Sequence, residues 1–149
     1  MIPFRSDYVF MPIRDAAILT TGYVAGNVIG AVNAGEKPAS GQMLQHFVGT
    51  AGLFNQIILY VDFTKGSLTT AEILVEFSDN NVDWYAETVD DVNAGTGIIT
   101  ERNAVRQLTA NGKYRIPIRV NDNYIRVSIK GTGTVTSSSA KIGAIIGNN

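Results

Sequence analysis

The chain has 149 residues, of which 45% are hydrophobic, and its formal net charge is −1. This length suits one domain with its own core, and this hydrophobic content argues against a disordered chain. The near-neutral charge provides no general attraction to nucleic acid or to an anionic membrane. The absence of cysteine excludes disulfides, thiolate metal sites and cysteine nucleophiles.

The first segment in chain order, residues 1–14, contains two prolines and is predicted to be an extended arm. A single domain is predicted to follow over residues 15–149. We expect Phe4, Tyr8 and Phe10 to be exposed on the arm, and exposed aromatic side chains are better accommodated against a neighbouring molecule. The arm is therefore a candidate interaction segment.

The next part of the chain gives weaker signals. A short strand is predicted over residues 16–23. The glycine-rich stretch of residues 22–52 is predicted to consist of strand fragments joined by a long loop. Within it, residues 40–49 fit one helical turn and a strand equally well, and they include His46, which is the only histidine.

From residue 54 onwards, apolar and polar residues alternate with the period of two that indicates strands with one buried face. "FNQIILYVDFT" and "TAEILVEFS" both show this pattern clearly. Strands are predicted over residues 54–64, 70–78, 83–89, 104–109, 113–120, 125–130 and 134–146. The side chains predicted to face the core are Ile57, Leu59, Val61, Phe63, Ala71, Ile73, Val75, Phe77, Tyr114, Ile116, Ile118, Val120, Ile125, Val127, Ile129, Ala140, Ile142, Ala144 and Ile146.

The stretch "KYRIPIRVNDNYIRVSIKG" (residues 113–131) is predicted to form a β-hairpin with a short loop at "NDN". Pro117 lacks an N–H group, so its strand is expected at a sheet edge or at a bulge. Many short strands separated by turn signals are typical of a sandwich or barrel. We predict an all-β fold, an antiparallel β-sandwich that is jelly-roll-like, with the extended N-terminal arm.

Charge is segregated along the chain. Residues 113–130 hold five of the 12 basic residues, among them Arg115, Arg119 and Arg126, and residues 72–91 hold seven of the 13 acidic ones. Three interpretations are open. Opposite charges can be cross-strand neighbours on outer faces, the basic face of one copy can meet the acidic region of another, or the basic face can bind nucleic acid. The first is favoured, and few aromatic residues accompany the basic ones as nucleic-acid binding would require.

Catalytic and metal-binding patterns are weak. A lone histidine does not make a hydrolase triad or a zinc site. Asp79, Asn81 and Asp83 have the spacing of a calcium loop, but Trp84 stands where such a loop needs glycine, so a turn between strands is the preferred interpretation. The sequence therefore predicts no enzyme activity, no cofactor and no metal.

Trp84 and Tyr85 are the most suggestive binding residues, because aromatic rings both stack on sugars and fill cores. Alternation in "DWYAETV" predicts that one ring points inward and the other outward. Trp84 is predicted to fill the core, and stacking on a sugar is the alternative.

Two resemblances arise at these residues. "VEFSDNNVDWYAE" followed by "YRIPI" and "YIRVSIKGTGTVT" resembles a motif of discoidin-like, galactose-binding β-sandwiches. In this chain, Asn81 stands where that motif usually has glycine. Residues 55–146 as a whole are similar in arrangement to small virion structural proteins of tailed bacteriophages, of the auxiliary capsid or decoration type. Their counterparts here are a strand rich in Ile and Val, followed by "SLTTAEILVEFSDNNVDWY", "GKYRIPI", "YIRVSIKGTGT" and "AKIGAIIG".

The second resemblance implies a non-enzymatic β-sandwich that assembles in several copies on a particle. We therefore expect an auxiliary capsid (decoration or cement) protein located on the capsid surface of a virion. Its expected partners are copies of itself, for example in a trimer, and a major capsid or other virion protein, without nucleic acid or membrane. The alternatives are a carbohydrate-binding module that uses Trp84, Tyr85 and Asp79, and another head or tail component.

Overall fold

The computed structural model of the chain describes residues 9–30, 42–43, 56–120 and 122–147. These residues form thirteen strands and no helix, so this part of the chain contains no helix that could cross a membrane. The strands are β1 (Val9–Ala17), β2 (Val24–Ala25), β3 (Val28–Gly30), β4 (Gln42–Met43), β5 (Gln56–Thr64), β6 (Leu68–Ser78), β7 (Tyr85–Ala86), β8 (Thr88–Val92), β9 (Ile99–Asn103), β10 (Val105–Leu108), β11 (Gly112–Arg119), β12 (Tyr124–Gly133) and β13 (Ser139–Gly147).

The strands form two main sheets and one separate ribbon. The four-stranded sheet has the order β1-β13-β5-β11. The larger sheet has the order β10-β6-β12-β3-β4, with β2 also paired to β12 and β7 to β6. Strands β8 and β9 pair with each other and form the ribbon. All of these pairs are antiparallel except β3 with β4.

The order of the strands is that of a jelly roll. Four antiparallel pairs are nested along the chain, namely β1 with β13, β3 with β12, β5 with β11 and β6 with β10. Successive pairs lie alternately in the four-stranded and the larger sheet, as when one long hairpin is rolled up into two facing sheets. The predicted all-β, jelly-roll-like sandwich is therefore confirmed, and the ribbon is inserted between the innermost two strands.

The core lies between the two main sheets, because alternate residues of each strand face the other sheet. In β5, Ile57, Leu59, Val61 and Phe63 are buried, and the intervening residues point outward. The buried side chains of both sheets form one continuous cluster. Its largest members are Phe63, Leu19, Ile29, Ile57, Leu59, Leu68, Ile73, Ile125, Ile129 and Ile142. The inward faces predicted from the alternation are thus confirmed for β5, β6 and β12, with Phe77 only partly buried, and for Ala140, Ile142 and Ala144 of β13. The side chain of Ile146 lies outside the described residues.

The N-terminal boundary differs from the prediction. Residues 9–14 belong to β1, an edge strand of the four-stranded sheet, and Met11 and Ile13 are buried in the core. They are not part of an arm, because the alternation of Met11 and Ile13 supplies a buried face, and an edge strand tolerates Pro12. Residues 1–8, including Phe4 and Tyr8, lie outside the described residues. The strand predicted over residues 16–23 is wrong too, since β1 ends at Ala17 and β2 begins at Val24.

The predicted hairpin of residues 113–131 is also wrong. Both strands exist, but β11 pairs with β5 in the four-stranded sheet, whereas β12 pairs with β6 and β3 in the larger sheet. The chain crosses the sandwich between β11 and β12 because each strand completes a nested pair with an earlier strand. The edge position expected from Pro117 is confirmed, since β11 ends the four-stranded sheet.

Candidate functional site

The structure separates the basic residues that the sequence placed on one surface. Arg115 and Arg119 lie on the outer face of the four-stranded sheet, and Arg126 lies on the outer face of the larger sheet. These faces point away from each other on opposite sides of the core. Phe10 lies in β1 opposite Ile145, so its backbone belongs to the four-stranded sheet.

Basic residues on the outer face of the larger sheet are paired with acidic ones. Arg126 donates through Nε and Nη2 to the two carboxylate oxygens of Glu76, at 3.0 and 3.1 Å. Lys130 Nζ lies 3.3 Å from Glu72 Oε2. Both pairs join residues directly opposite each other on β6 and β12. The interpretation of the charge pattern as cross-strand neighbours is confirmed for these two basic residues.

Glu72 organises a second polar contact on the same face. The hydroxyl of Tyr23 donates to Glu72 Oε2 at 3.2 Å, and Lys130 Nζ lies 4.8 Å from the centre of the Tyr23 ring. Burial, together with the charge and hydrogen bond of Glu72, raises the pKa of Tyr23 to about 12. Glu72 thus accepts a hydrogen bond from the Tyr23 hydroxyl and forms a salt bridge with the Lys130 ammonium group within the same chain.

Trp84 does not fill the core. Its ring is only partly buried, and the guanidinium carbon of Arg126 lies 4.4 Å from the ring centre. The predicted core position is therefore wrong, because the side chain packs on the outer face under a cation. Tyr85 remains 70% exposed on β7. Trp84 and Arg126, which carry the discoidin-like resemblance, contact each other, so one face of the Trp84 ring is occupied.

Replacing Arg126 by alanine is expected to change the environment of Trp84, the only tryptophan in the chain. The substitution removes the cation from the ring and leaves the partly buried Glu76 without its paired hydrogen bonds. We expect a red-shifted tryptophan emission and a loss of roughly 1–3 kcal/mol in the free energy of unfolding. Emission spectra and urea denaturation measure both effects. Arg119→Ala is the control, and an unchanged emission in Arg126→Ala would contradict the contact.

The segment after β6 is a tight turn. Ser78 Oγ accepts hydrogen bonds from the backbone N–H groups of Asn80 and Asn81, at 3.3 and 2.9 Å. Asn80 Oδ1 accepts from those of Val82 and Asp83, at 2.9 Å each. Asn81 has a φ of 59°, a left-handed conformation that asparagine tolerates better than most residues. The turn interpretation is confirmed, and the described residues contain no group of three or more His, Asp or Glu that could hold a metal.

Two carboxyl groups meet beside this turn. Burial of Asp122, together with its hydrogen bond to Asp79 and the charge of Asp79, raises the pKa of the Asp122 carboxyl above its usual value. The folded state thus holds this proton more tightly than the unfolded state does. The stabilisation is complete below the ordinary aspartate pKa of about 3.9 and is lost as pH rises through the raised value.

Asp122→Asn is therefore expected to raise the melting temperature at pH 7 and to change it little at pH 3. The amide keeps a hydrogen-bonding group beside Asp79 without adding a charge. Thermal unfolding followed by circular dichroism at the two pH values measures the difference. An equal shift of the melting temperature at both pH values would rule out a repulsive carboxyl pair.

The outer face of the four-stranded sheet carries basic residues that form no salt bridge with a described acidic residue. Over β5, β11 and β13, the outward charged residues are four cations against one carboxylate, Asp62. None of the salt bridges between described residues involves these four cations. They are Lys113, Arg115, Arg119 and Lys141. We name this outer surface of β5, β11 and β13 the basic face.

The register of the strands arranges the basic face in rows. Lys113 and Lys141 both lie opposite Asp62, and Arg115 lies opposite Tyr60, whose other neighbour is Gly143. Because Gly143 has no side chain, a shallow depression of about 190 Å³ is open there between Tyr60, Lys113 and Lys141.

The next row of the basic face is apolar. Pro117, Ile58 and Ile145 lie opposite one another on β11, β5 and β13, and none of them is buried. Arg115 precedes this row and Arg119 follows it on β11. The basic face thus combines a partly exposed apolar row with cations on both sides, which is a composition suited to contact with another protein.

The ribbon is a second candidate surface, and the sequence analysis did not predict it. Every residue of β8 and β9 is exposed, and Val92, Ile98 and Ile99 are 63%, 60% and 60% exposed. The only signal was the turn-forming "NAGTG" between two short runs of β-formers. In the turn, Asn93 Oδ1 accepts from the backbone N–H groups of Gly95 and Thr96, at 2.9 and 3.0 Å.

The ribbon is predominantly acidic. Its strands contain three acidic residues, Asp90, Asp91 and Glu101, and one basic residue, Arg102. The Nε atom of Arg102 lies 2.7 Å from Asp91 Oδ2. Arg106 at the base pairs with Glu87. The candidate site is thus a basic face on the four-stranded sheet and an acidic, apolar-tipped ribbon that is inserted between β6 and β10 of the larger sheet. Comparisons of the chain with protein-family models, with curated proteins and with solved structures find no match.

Proposed function

We propose that this protein is a non-enzymatic structural protein of a viral particle, an auxiliary capsid protein that stabilises the head through repeated subunit contacts. The observation that carries the proposal is the basic face, where an apolar row lies between cations that form no salt bridge with a described residue. Such a face on a rigid sandwich is suited to contact with a neighbouring subunit.

The energetics of a lattice favour this kind of surface. A contact of modest strength becomes effective when symmetry repeats it many times, because each bound copy holds its neighbours in place. Cations around an apolar row add orientation and specificity to the contact. A jelly roll provides a stiff frame for such a surface, and capsid proteins are among the proteins that use this architecture.

The bacteriophage resemblance supports the same proposal. The segments that carry it form β5, β6, β11, β12 and β13, which include the central strands of both main sheets and the edge strand β11. The resemblance therefore covers the frame of the domain as well as the basic face.

Detection in purified particles is the direct test. We expect peptides of this chain in gradient-purified particles of the phage that encodes it, in a fixed ratio to the major capsid protein. If only a few copies are present per particle, the protein belongs to the connector or tail and not to the capsid surface. Absence of the chain from particles would reject the proposal.

A carbohydrate-binding module is the second candidate, and the exposed ring of Tyr85 favours it. Jelly rolls also occur in lectins. Against it, Arg126 covers one face of the Trp84 ring. A glycan array of the wild type, Trp84→Ala and Tyr85→Ala tests it, with binding expected to vanish in the aromatic variants. Binding of no glycan by the wild type would remove this candidate.

A further inference from the structure

We propose that the ribbon of one copy of this chain docks on the basic face of a second copy, so that the protein associates head to tail. The partner is thus a second copy of the same chain. This contact goes beyond the proposed function, because it requires only the purified protein and holds or fails independently of any particle.

The two surfaces are built from different elements of one copy. The ribbon is inserted between β6 and β10 of the larger sheet, and its strands pair with no strand of the four-stranded sheet. The basic face points away from the larger sheet. Because every residue of β8 and β9 is exposed in a single copy, a contact between ribbon and basic face joins two copies, and the resulting pair retains one free basic face and one free ribbon.

Charge identifies the partner of the ribbon. Asp90 and Glu101 lie directly opposite each other, an arrangement in which like charges destabilise a strand pair. The hydrogen bond between them raises the pKa of Asp90. Arg102 is already engaged by Asp91. A cation from a neighbouring molecule would relieve this repulsion, and the basic face holds four cations against one carboxylate.

The spacing between charged and apolar residues on the ribbon matches the spacing on the basic face. On one side of the ribbon, the Asp90–Glu101 pair is followed two residues later by the apolar pair of Val92 and Ile99. On the basic face, the row that contains Arg115 is followed two residues later by the apolar row of Pro117. Two residues of a strand span about 6.6–6.8 Å in both places, so the acidic pair meets the Arg115 row when the apolar pair meets the Pro117 row.

The end of the ribbon exposes hydrophobic side chains to solvent. Val92, Ile98 and Ile99 form an apolar tip that no described part of the chain covers. A two-stranded ribbon is marginally stable in water on its own. Burial of the tip on the apolar row would remove exposed hydrophobic surface from both partners, and this is the usual driving force of association.

A contact between two different surfaces has a consequence for symmetry. Head-to-tail interfaces close into rings when the rotation between copies allows it, and otherwise they form open chains. A closed ring of three copies would agree with the trimer expected from the phage resemblance. A variant altered in the ribbon and a variant altered in the basic face can still form one intact contact with each other, between the unaltered ribbon of one and the unaltered face of the other.

This complementation is the test. We compare Asp90→Lys in the ribbon with Arg115→Ala on the basic face by sedimentation velocity up to about 1 mM protein. Alanine at position 115 offers no opposite charge to lysine at position 90, so the two altered surfaces do not attract each other. Both positions are exposed, and lysine at position 90 would face Glu101, so neither change threatens the fold. Asp83→Lys is the matched control, because it changes an exposed carboxylate outside the ribbon by the same charge. Circular dichroism checks folding.

We expect the wild type and Asp83→Lys to associate. Each interface variant alone should show an apparent dissociation constant raised at least about tenfold. An equimolar mixture of the two interface variants should form a heterodimer that grows no further. A monomeric wild type at the highest concentration, association of both variants at wild-type strength, or absence of the heterodimer would each overturn the proposal. None of these outcomes bears on the presence of the chain in particles, which is measured separately.

Discussion

Deletion of residues 1–14 is expected to lower the melting temperature by at least about 10 °C, or to abolish cooperative unfolding. The deletion removes Met11 and Ile13 from the core, where they are 4% and 2% exposed. Truncation of each such side chain alone costs about 2–5 kcal/mol, and a domain of this size has only about 5–15 kcal/mol of stability in total. It also removes the edge strand that pairs with β13.

A matched deletion of residues 1–8 isolates the contribution of β1. The difference between the two truncated proteins in thermal unfolding measures what residues 9–14 add. If both unfold at the same temperature, residues 9–14 form an arm outside the domain and the register of β1 with β13 is wrong.

Phe63→Ala is expected to lower the free energy of unfolding by about 3–5 kcal/mol. Phe63 is 2% exposed and is among the largest side chains of the cluster between the sheets. The small residue leaves a cavity that the surrounding strands cannot fill, because protein interiors are packed as densely as organic crystals.

Tyr60→Ala is the control on the same strand. Tyr60 lies three residues earlier on β5, on the outer face, and is 38% exposed. We expect a loss of less than about 1 kcal/mol, since outward substitutions leave the core intact. Urea denaturation measures both variants. Equal losses at the two positions would contradict the alternation of inward and outward residues along β5.

The sequence predicts the strands well because their alternation is regular. Ile57 to Phe63 and Ile125 to Ile129 show one buried face that local pattern alone reveals. Local pattern says nothing about which strand lies beside which. The loop at "NDN" looked like a hairpin turn, but the pairing partners of β11 and β12 lie more than 40 residues earlier in the chain. Long-range pairing decides the topology, and a two-residue period does not encode it.

The same limit explains the result for the candidate site. Arg115 and Arg126 have equivalent sequence surroundings, yet only Arg126 lies opposite a glutamate. The register between paired strands determines which residue lies opposite each arginine. The position of Trp84 was missed for a similar reason, because its contact with Arg126 joins residues 42 positions apart in the chain. The ribbon was missed because its residues show no buried face for a pattern to reveal.

Lysine footprinting tests the central claim, that the basic face is the contact surface of this protein, most directly. Acetylation rates are measured by mass spectrometry in the associated protein and after dissociation by dilution. Lys113 and Lys141 lie on the basic face, and Lys130 lies on the opposite face beside Glu72, so one protein contains both probe and control. We predict slower acetylation of Lys113 and Lys141 in the associated state, with Lys130 unchanged. Equal rates for Lys113 and Lys141 in the two states would contradict the claim.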